Sequence, residues 1–265
     1  ALPILAAPFR ALIGHRSDTH ASVIGWRRVP YLWLGTMLQF GGLAILPFAL
    51  LLLTGQGELG LAWLGYGAAG LAFLLVGAGL QITQTAGLAL ATDLAPPATR
   101  PRVVALMYVM LLLGMVGGGL ACSALLADFS PTRLIQVVQG AALLSVLLNG
   151  VAVWKQEARD PGRRRNKAAV GEADFAPRWQ SFIAQPGARR FLWTVGLGTA
   201  AFNMQDVVLE PYGGEILQMS VSSTTQLTAT LALGSLLGFG LASRVLGRGY
   251  DPFRMAVWGA LAGVP

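Results

Sequence analysis

The sequence has few of the residues from which metal sites and hydrolytic active sites are built. It contains one cysteine, Cys122, and two histidines, His15 and His20, in 265 residues. A single cysteine excludes a disulfide framework and a cysteine-based metal site within one chain. Both histidines fall in one predicted loop, so no zinc site and no Ser-His-Asp constellation can form among the apolar segments. We therefore expect neither an enzyme nor a metal site made of clustered protein ligands.

Charged residues are also scarce, and long apolar runs take their place. Charged side chains make up 12% of the chain against 54% hydrophobic ones, and the mean hydropathy is +0.60. Several apolar runs are longer than about 18 residues, which is typical of membrane-spanning helices. The predicted spans cover residues 31–53, 61–91, 103–127, 133–154, 191 onward and 226–243, with incomplete spans at 1–13 and from 255. The sequence thus predicts an all-α, polytopic transmembrane helical bundle that is an internal portion of a longer polypeptide.

Basic residues are concentrated in alternate loops. Of the 19 lysines and arginines, 18 lie in one set of loops and only Arg133 lies in the other. Because cytoplasmic loops carry the excess of positive charge, we place this set on the cytoplasmic side of a bacterial inner membrane. The net charge of +7 then faces anionic lipid headgroups, and we expect no nucleic-acid binding.

The same pattern divides the chain into three parts. Residues 1–154 are part of an N-terminal transmembrane half, and residues 191–265 are part of a C-terminal transmembrane half. Between them, residues 155–190 form a basic cytoplasmic central loop. This loop is charged, contains proline and has few apolar residues, so we expect much of it to be flexible.

Two of the basic loops look alike, which is a feature of transporters built from repeated halves. They cover residues 14–28 and 243–254, and each has an early basic residue, an internal Asp and a final Arg. The first resembles the motif that major facilitator superfamily proteins carry between their second and third helices, although its spacing here is stretched. The resemblance implies a latch between helix ends on the cytoplasmic side, formed by Gly14, Arg16, Asp18, Arg27, Arg28 and Asp93.

Longer stretches of sequence are more specific. They are the strings RSDTH, GWRRVPYLWLGTMLQFGGLAILPFAL, ATDLAPPATRPRVVALMYVMLLLGM, AFNMQDVVLEPYGGEILQMSV and TTQLTA. These strings resemble the PucC/LhaA group, also called the bacteriochlorophyll delivery family, which are major facilitator relatives from purple phototrophic bacteria. The resemblance covers nearly the whole chain.

The resemblance implies a major facilitator-like fold of twelve helices, of which this chain would hold the end of helix 2 to the start of helix 9. It also implies a role in the assembly of light-harvesting complexes in the intracytoplasmic membrane. The implied cofactor is bacteriochlorophyll, either bound or handed over. The implied partners are the light-harvesting α and β polypeptides, with the reaction centre–antenna complex as a further candidate.

One apolar segment in the C-terminal half carries polar side chains at membrane depth. Asn203, Asp206 and Glu210 stand at i, i+3 and i+7, so they share one face of a helix. A carboxylate at this depth costs at least ~2.5 kcal/mol, so such residues usually face a cavity, a partner or a polar ligand. Pro211 lacks the N–H that would bond back one turn, and glycines follow it, so we expect the helix to break there.

A bound bacteriochlorophyll would need an axial ligand for its central magnesium, and no histidine lies within a predicted span. Mg²⁺ favours oxygen donors, so the candidate ligands are Asn203, Gln205, Asp206 and Glu210, with Gln39 from an earlier span. The alternative is that the two acids lie near the periplasmic mouth, solvated or capped by neighbours. A second polar patch, Gln81 and Gln84 with Thr85, could line a substrate site or form interhelical hydrogen bonds.

The glycines and the aromatic residues each leave two interpretations open. The glycines at 114, 117–119, 234 and 238 allow close packing inside the bundle, or a flat outer groove that accepts a foreign transmembrane helix. Trp26, Tyr31 and Trp33 form either an interfacial belt or a surface on which a tetrapyrrole stacks.

Two functions are consistent with these features. One is an assembly factor that binds pigment and antenna helices, and the other is a proton-coupled secondary transporter of a small amphiphilic solute that uses Asp206 or Glu210. A transporter needs charged residues that face each other at mid-depth from both halves. The first half offers only Gln39 and Asn149 well inside its spans, and this scarcity favours the assembly factor.

Overall fold

A computed structural model describes residues 10–20, 22, 24–53, 62–159 and 175–262, with the side chains at 62, 202, 203, 205–207, 210 and 252 outside the description. Within these ranges the regular elements are all helical, which confirms the predicted all-α class. The helices are α1 (Arg10–Thr19), α2 (Val29–Leu53), α3 (Ala62–Leu94), α4 (Arg100–Leu125), α5 (Pro131–Val153), α6 (Phe175–Ile183), α7 (Ala188–Pro211), α8 (Val221–Gly247) and α9 (Pro252–Ala262).

Five of the described helices are long and apolar enough to cross a membrane, namely α2, α3, α4, α5 and α8. They indicate a multi-pass membrane protein. The bounds of α2, α3, α4 and α5 agree within three residues with those that the apolar runs predict, whereas α8 begins five residues before the predicted span and ends four residues after it. Many of their large apolar side chains are exposed on the protein, as expected where lipid supplies the contacts. The helix α7 is not among the five, so its passage through the membrane remains a prediction from the sequence.

The chain forms two compact units. Unit 1 comprises Ala1–Val104 and Asp128–Val208, and unit 2 comprises Ala105–Ala127 and Leu209–Pro265. In unit 1, α2 packs against both α3 and α5, and α1 packs against α3. A small buried cluster of Leu32, Ala86 and Leu90 lies between α2 and α3. The division of the chain at residues 154 and 190 remains a prediction.

Glycines bring the backbones of α2 and α3 into contact. A Cβ added at Gly42 would lie 2.6 Å from the carbonyl oxygen of Ala72, and one added at Gly79 would lie 2.8 Å from the backbone nitrogen of Gln39. No side chain fits at these positions, so the two helices approach as closely as helices do at small-residue interfaces in membranes. These glycines are not among those predicted from the sequence, because a glycine's neighbours on another helix are not visible there.

Two segments that we predicted as loops are helical. The loop that we placed from Gly14 is helical as far as Thr19, because α1 packs on α3, where Arg10 Nε donates to Thr85 Oγ1 at 3.2 Å. Inside the predicted central loop, α6 carries Phe175, Trp179 and a further phenylalanine on one face. The first two rings stack with centroids 5.9 Å apart. The composition of the segment does not reveal such a short amphipathic pattern, so this helix was not predicted. Residues 160–174 of that loop lie outside the described ranges.

The helical geometry changes after the polar stretch in α7. The α-helix ends at Pro211, and a single π-helical turn, Tyr212–Ile216, follows it. The next helix begins after Ser220, whose hydroxyl accepts the N–H of Ser223 at 3.2 Å and so caps α8. The α-helical geometry therefore ends at Pro211, but the predicted break beside Glu210 is not seen, since Glu210 and Pro211 are themselves helical and the chain stays helical as far as Ile216.

Candidate functional site

An ion-pair cluster joins the start of α2 to the ends of α1 and α3. We call Asp18, Arg27, Arg28 and Asp93 the latch cluster. Arg28 is buried, and its Nη2 and Nε lie 2.6 Å from Asp18 Oδ1 and 2.6 Å from Asp93 Oδ2. Arg27 also pairs with Asp93 Oδ2. The hydroxyl oxygen of Ser17, which is fully buried, accepts a hydrogen bond from Arg28 Nη1 at 3.0 Å.

The electrostatics of this cluster keep the buried guanidinium charged. Burial by itself would lower the pKa of Arg28, but hydrogen bonds and charges from Asp93 and Asp18 outweigh it and raise the pKa above its ordinary value. Because an uncompensated buried cation is costly, these ion pairs favour the contact between the three helix ends.

The structure brings four of the six predicted latch residues together. Gly14 and Arg16 lie on α1 next to the cluster, where the Gly14 carbonyl accepts the Ser17 hydroxyl at 2.9 Å. Among the described residues, the Arg16 side chain forms no ion pair. The latch role of all six residues remains a prediction.

No pattern in the sequence points to Glu157, which caps α2 from a distant part of the chain. Its carboxylate accepts the backbone N–H groups of Arg27 at 2.8 Å, of Arg28 at 3.0 Å and of Val29 at 3.0 Å. The first N–H groups of a helix have no partner within the helix, and the dipole there favours a negative charge. Glu157 thus ties the segment after α5 to the start of α2. Because about 130 residues separate the partners, no local pattern could reveal the contact.

A pocket adjoins this capped helix end, between the start of α2 and the end of α5. Its volume is about 540 Å³, within the range typical of small-molecule sites. The described lining residues combine three indoles with charged side chains and are Trp26, Val29, Trp33, Gly150, Val153, Trp154, Lys155, Glu157 and Arg159. The guanidinium carbon of Arg159 lies 5.1 Å from the centroid of the Trp26 ring, a cation–π geometry.

Two polar side chains inside the spans form interhelical hydrogen bonds. Gln39 Nε2 donates to Thr83 Oγ1 at 3.0 Å and links α2 to α3. Asn149 Nδ2 donates to Thr36 Oγ1 at 2.6 Å and links α5 to α2. Gln39 is therefore engaged in helix packing, which is the simpler role for a polar group at this depth.

The polar patch on α3 remains open to either interpretation. Gln81 and Gln84 are both half-buried. Among the described residues, the Gln81 Oε1 atom is buried and has no hydrogen-bond partner. Buried oxygens are usually satisfied by protein or by ordered water. A substrate-lining role for this patch stays a prediction.

The candidate pigment ligands are distributed over two helices. Asn203, Gln205, Asp206 and Glu210 all lie on α7. Their side chains are outside the described set, so their role as pigment or substrate ligands stays a prediction. Gln39, the fifth candidate, lies on α2 and has the contact with Thr83 given above.

In unit 2, a polar contact and one glycine join α4 to α8. The hydroxyls of Ser123 and Ser222 lie 2.8 Å apart, and Gln226 Nε2 donates to Ser123 Oγ at 3.1 Å. A Cβ added at Gly119 would lie 3.0 Å from the Cβ of Ala229, so the helices are close there.

The other glycines that the sequence analysis singled out face open space. Among the described residues, nothing lies within 4 Å of a Cβ added at any of Gly114, Gly117, Gly118, Gly234 and Gly238. These glycines therefore do not serve packing within the described part of the chain.

No group of three histidine, cysteine, aspartate or glutamate side chains in the described ranges could hold a metal ion.

Similarity to known proteins shows the family to which the chain belongs. The family model described as "PUCC protein" matches residues 1–265. No solved structure matches the chain.

Three curated relatives, each named "Protein PucC", are similar over nearly the whole chain. The Rhodovulum sulfidophilum protein is 55% identical over 267 residues, covering 100% of this chain and 59% of its own length. The Rhodobacter capsulatus protein is 56% identical, covering 96% of this chain and 56% of its own length. The Cereibacter sphaeroides protein is 52% identical, covering 100% of this chain and 58% of its own length. The chain thus spans somewhat more than half the length of these relatives, and it belongs to the PUCC family.

Proposed function

We propose that this chain is part of a membrane assembly factor for photosynthetic light-harvesting complexes. In this role the protein binds or delivers bacteriochlorophyll and guides the antenna α and β polypeptides into rings. It lies in the inner, intracytoplasmic membrane with its basic loops on the cytoplasmic side. The observation that carries the proposal is the family match over all 265 residues.

The geometry of unit 2 supports the docking of a client helix. The helix α4 contacts α8 near Gly119 and Ser123. Elsewhere α4 exposes glycines with free space beside them, together with large apolar side chains such as Met110 and Leu113. A surface of this kind allows the backbone of a second transmembrane helix to approach closely. Antenna α and β polypeptides are small transmembrane helices, so they fit this surface.

The docking step can be tested in a purple phototroph that lacks its own copy of the gene. The deletion strain is complemented with the full-length protein or with Gly117→Leu, which fills the open face of α4. We expect Gly117→Leu to lower the near-infrared antenna absorption per cell to less than half, at unchanged levels of the protein in the membrane. The matched control is Gly67→Leu on α3, since a Cβ at Gly67 also meets nothing within 4 Å.

Equal antenna levels with Gly117→Leu and with wild type would contradict the docking step. If the deletion strain itself builds complete antenna rings at the normal rate, the assembly function is wrong as a whole. The two outcomes are distinguishable because the second needs no variant.

The pigment step needs a separate test. We expect Asp206→Asn combined with Glu210→Gln to reduce the bacteriochlorophyll that co-purifies with the protein. Glu215→Gln is the control, since Glu215 is an exposed carboxylate in the turn that follows. A colourless wild-type preparation that carries out proton-coupled solute uptake, lost in the double variant, would support the transporter instead.

A further inference from the structure

We propose that the pocket between the start of α2 and the end of α5 is a binding site for one anionic phospholipid. Its phosphate lies against Lys155 and Arg159, and the upper part of its acyl chains lies against Trp26, Trp33 and Trp154. The proposed function assigns no role to this pocket, so this inference goes beyond it.

The position of the pocket matches the headgroup level of a membrane. Its walls are the first turns of one membrane-spanning helix and the end of another, since α2 begins at Val29 and α5 ends at Val153. Tryptophans are enriched at this level because the indole is apolar at one end and a hydrogen-bond donor at the other. Trp154 and Trp33 are both exposed on the protein, so a lipid can reach them from the side.

The charged residues that line the pocket favour an anionic ligand. The one acidic residue among the described lining residues is Glu157, and its carboxylate faces three backbone N–H groups at the start of α2. Lys155 and Arg159 supply positive charge, and neither forms an ion pair with any described residue. Basic pockets at the ends of transmembrane helices are a recognised setting for anionic lipid headgroups.

The backbone conformation of Lys155 is a second, independent observation that supports the binding site. Lys155 has φ 56°, in the left-handed region, directly after α5. Glycine is the usual residue at this position of a helix end, because other residues adopt the left-handed conformation only at an energetic cost. A lysine at such a position, on the wall of a pocket, points to a role for its ammonium group.

The test uses the full-length protein in phosphatidylcholine nanodiscs that contain a small fraction of phosphatidylglycerol. Native mass spectrometry counts the bound phosphatidylglycerol molecules, and quenching of tryptophan fluorescence by brominated phosphatidylglycerol gives the affinity. We expect Lys155→Gln with Arg159→Gln to weaken binding roughly tenfold or more, because each cation near the surface contributes about 1 kcal/mol. Arg244→Gln with Arg248→Gln removes equal charge from exposed positions elsewhere, and this control should bind as wild type does.

A second variant separates binding from folding. Lys155→Gly suits the left-handed backbone, so its thermal stability should equal or exceed that of wild type, while its affinity for phosphatidylglycerol should fall. Three results would each overturn the inference: full binding by the neutralised pocket, equal loss in both charge variants, or equal affinity for inorganic phosphate alone. Preferential binding of a planar tetrapyrrole carboxylate, with no displacement by phosphatidylglycerol, would also overturn it, by assigning the pocket to pigment.

Discussion

Removal of the Glu157 carboxylate should loosen the start of α2. The carboxylate accepts three backbone N–H groups, at 2.8, 3.0 and 3.0 Å, and these donors have no alternative partner within the helix. In Glu157→Ala all three contacts are lost together with the favourable interaction between the charge and the helix dipole. Glu157→Gln keeps one carbonyl oxygen as an acceptor but removes the charge.

The magnitude follows from the geometry of the cap. A hydrogen bond to a charged group contributes about 1.5–3 kcal/mol, whereas loss of a side-chain helix cap costs about 0.5–2 kcal/mol. Two oxygens serve three donors here, and Glu157 is only half-buried, so water can reach the freed N–H groups. We therefore expect Glu157→Ala to lower the free energy of unfolding by about 2 kcal/mol and Glu157→Gln by about 1 kcal/mol.

Reversible unfolding in mixed micelles, titrated with sodium dodecyl sulfate and followed by tryptophan fluorescence, measures this change. The matched control is Glu215→Ala, which removes an exposed carboxylate and should change the free energy of unfolding by less than about 0.5 kcal/mol. If Glu157→Ala costs no more than the Glu215 control, the carboxylate does not hold the helix end and this reasoning is wrong.

Two further predictions use neighbouring or paired residues as internal controls, with the same unfolding measurement. Gly42→Ala should lower the free energy of unfolding by about 1–3 kcal/mol, because the added methyl group would overlap the backbone of α3. The neighbouring variant Gly41→Ala places its methyl group in open space and should be nearly neutral. Equal effects of the two variants would contradict the close approach of α2 and α3. Asp93→Asn should cost about 2–3 kcal/mol because it weakens the compensation of buried Arg28. Asp18→Asn should lower the free energy of unfolding by less than about 1 kcal/mol, because the Asp18 side chain is 50% exposed. A larger effect for Asp18→Asn than for Asp93→Asn would show that the ion pairs of the latch cluster are assigned wrongly.

Hydropathy was sufficient to place the membrane helices, because a span must be apolar over its whole length whatever it packs against. The predicted bounds 31–53 and 133–154 differ from the helices Val29–Leu53 and Pro131–Val153 by one or two residues at most. The same reasoning failed for short helices. The helix α6 has nine residues, and its pattern of aromatic residues is too short to stand out within a charged segment.

The charged residues of the candidate site could be predicted from the sequence, but the way in which they pair could not. Asp18, Arg27, Arg28 and Asp93 could be chosen from the sequence because the first basic loop resembles the major facilitator motif, which implies a latch between helix ends. Their pairing could not be chosen, since two carboxylates and two guanidinium groups can combine in several ways. The structure assigns Asp93 to both arginines and Asp18 to Arg28 alone.

The sequence by itself determined that this protein is a helical membrane protein, where its spans lie and which family it resembles, because these properties depend on composition and on local strings of residues. Only the tertiary structure decided that Glu157 caps α2, that Gly42 and Gly79 hold α2 against α3, and that tryptophans and cations from distant parts of the chain share one pocket. These contacts depend on which helix faces meet, and that is set by packing between segments distant along the chain.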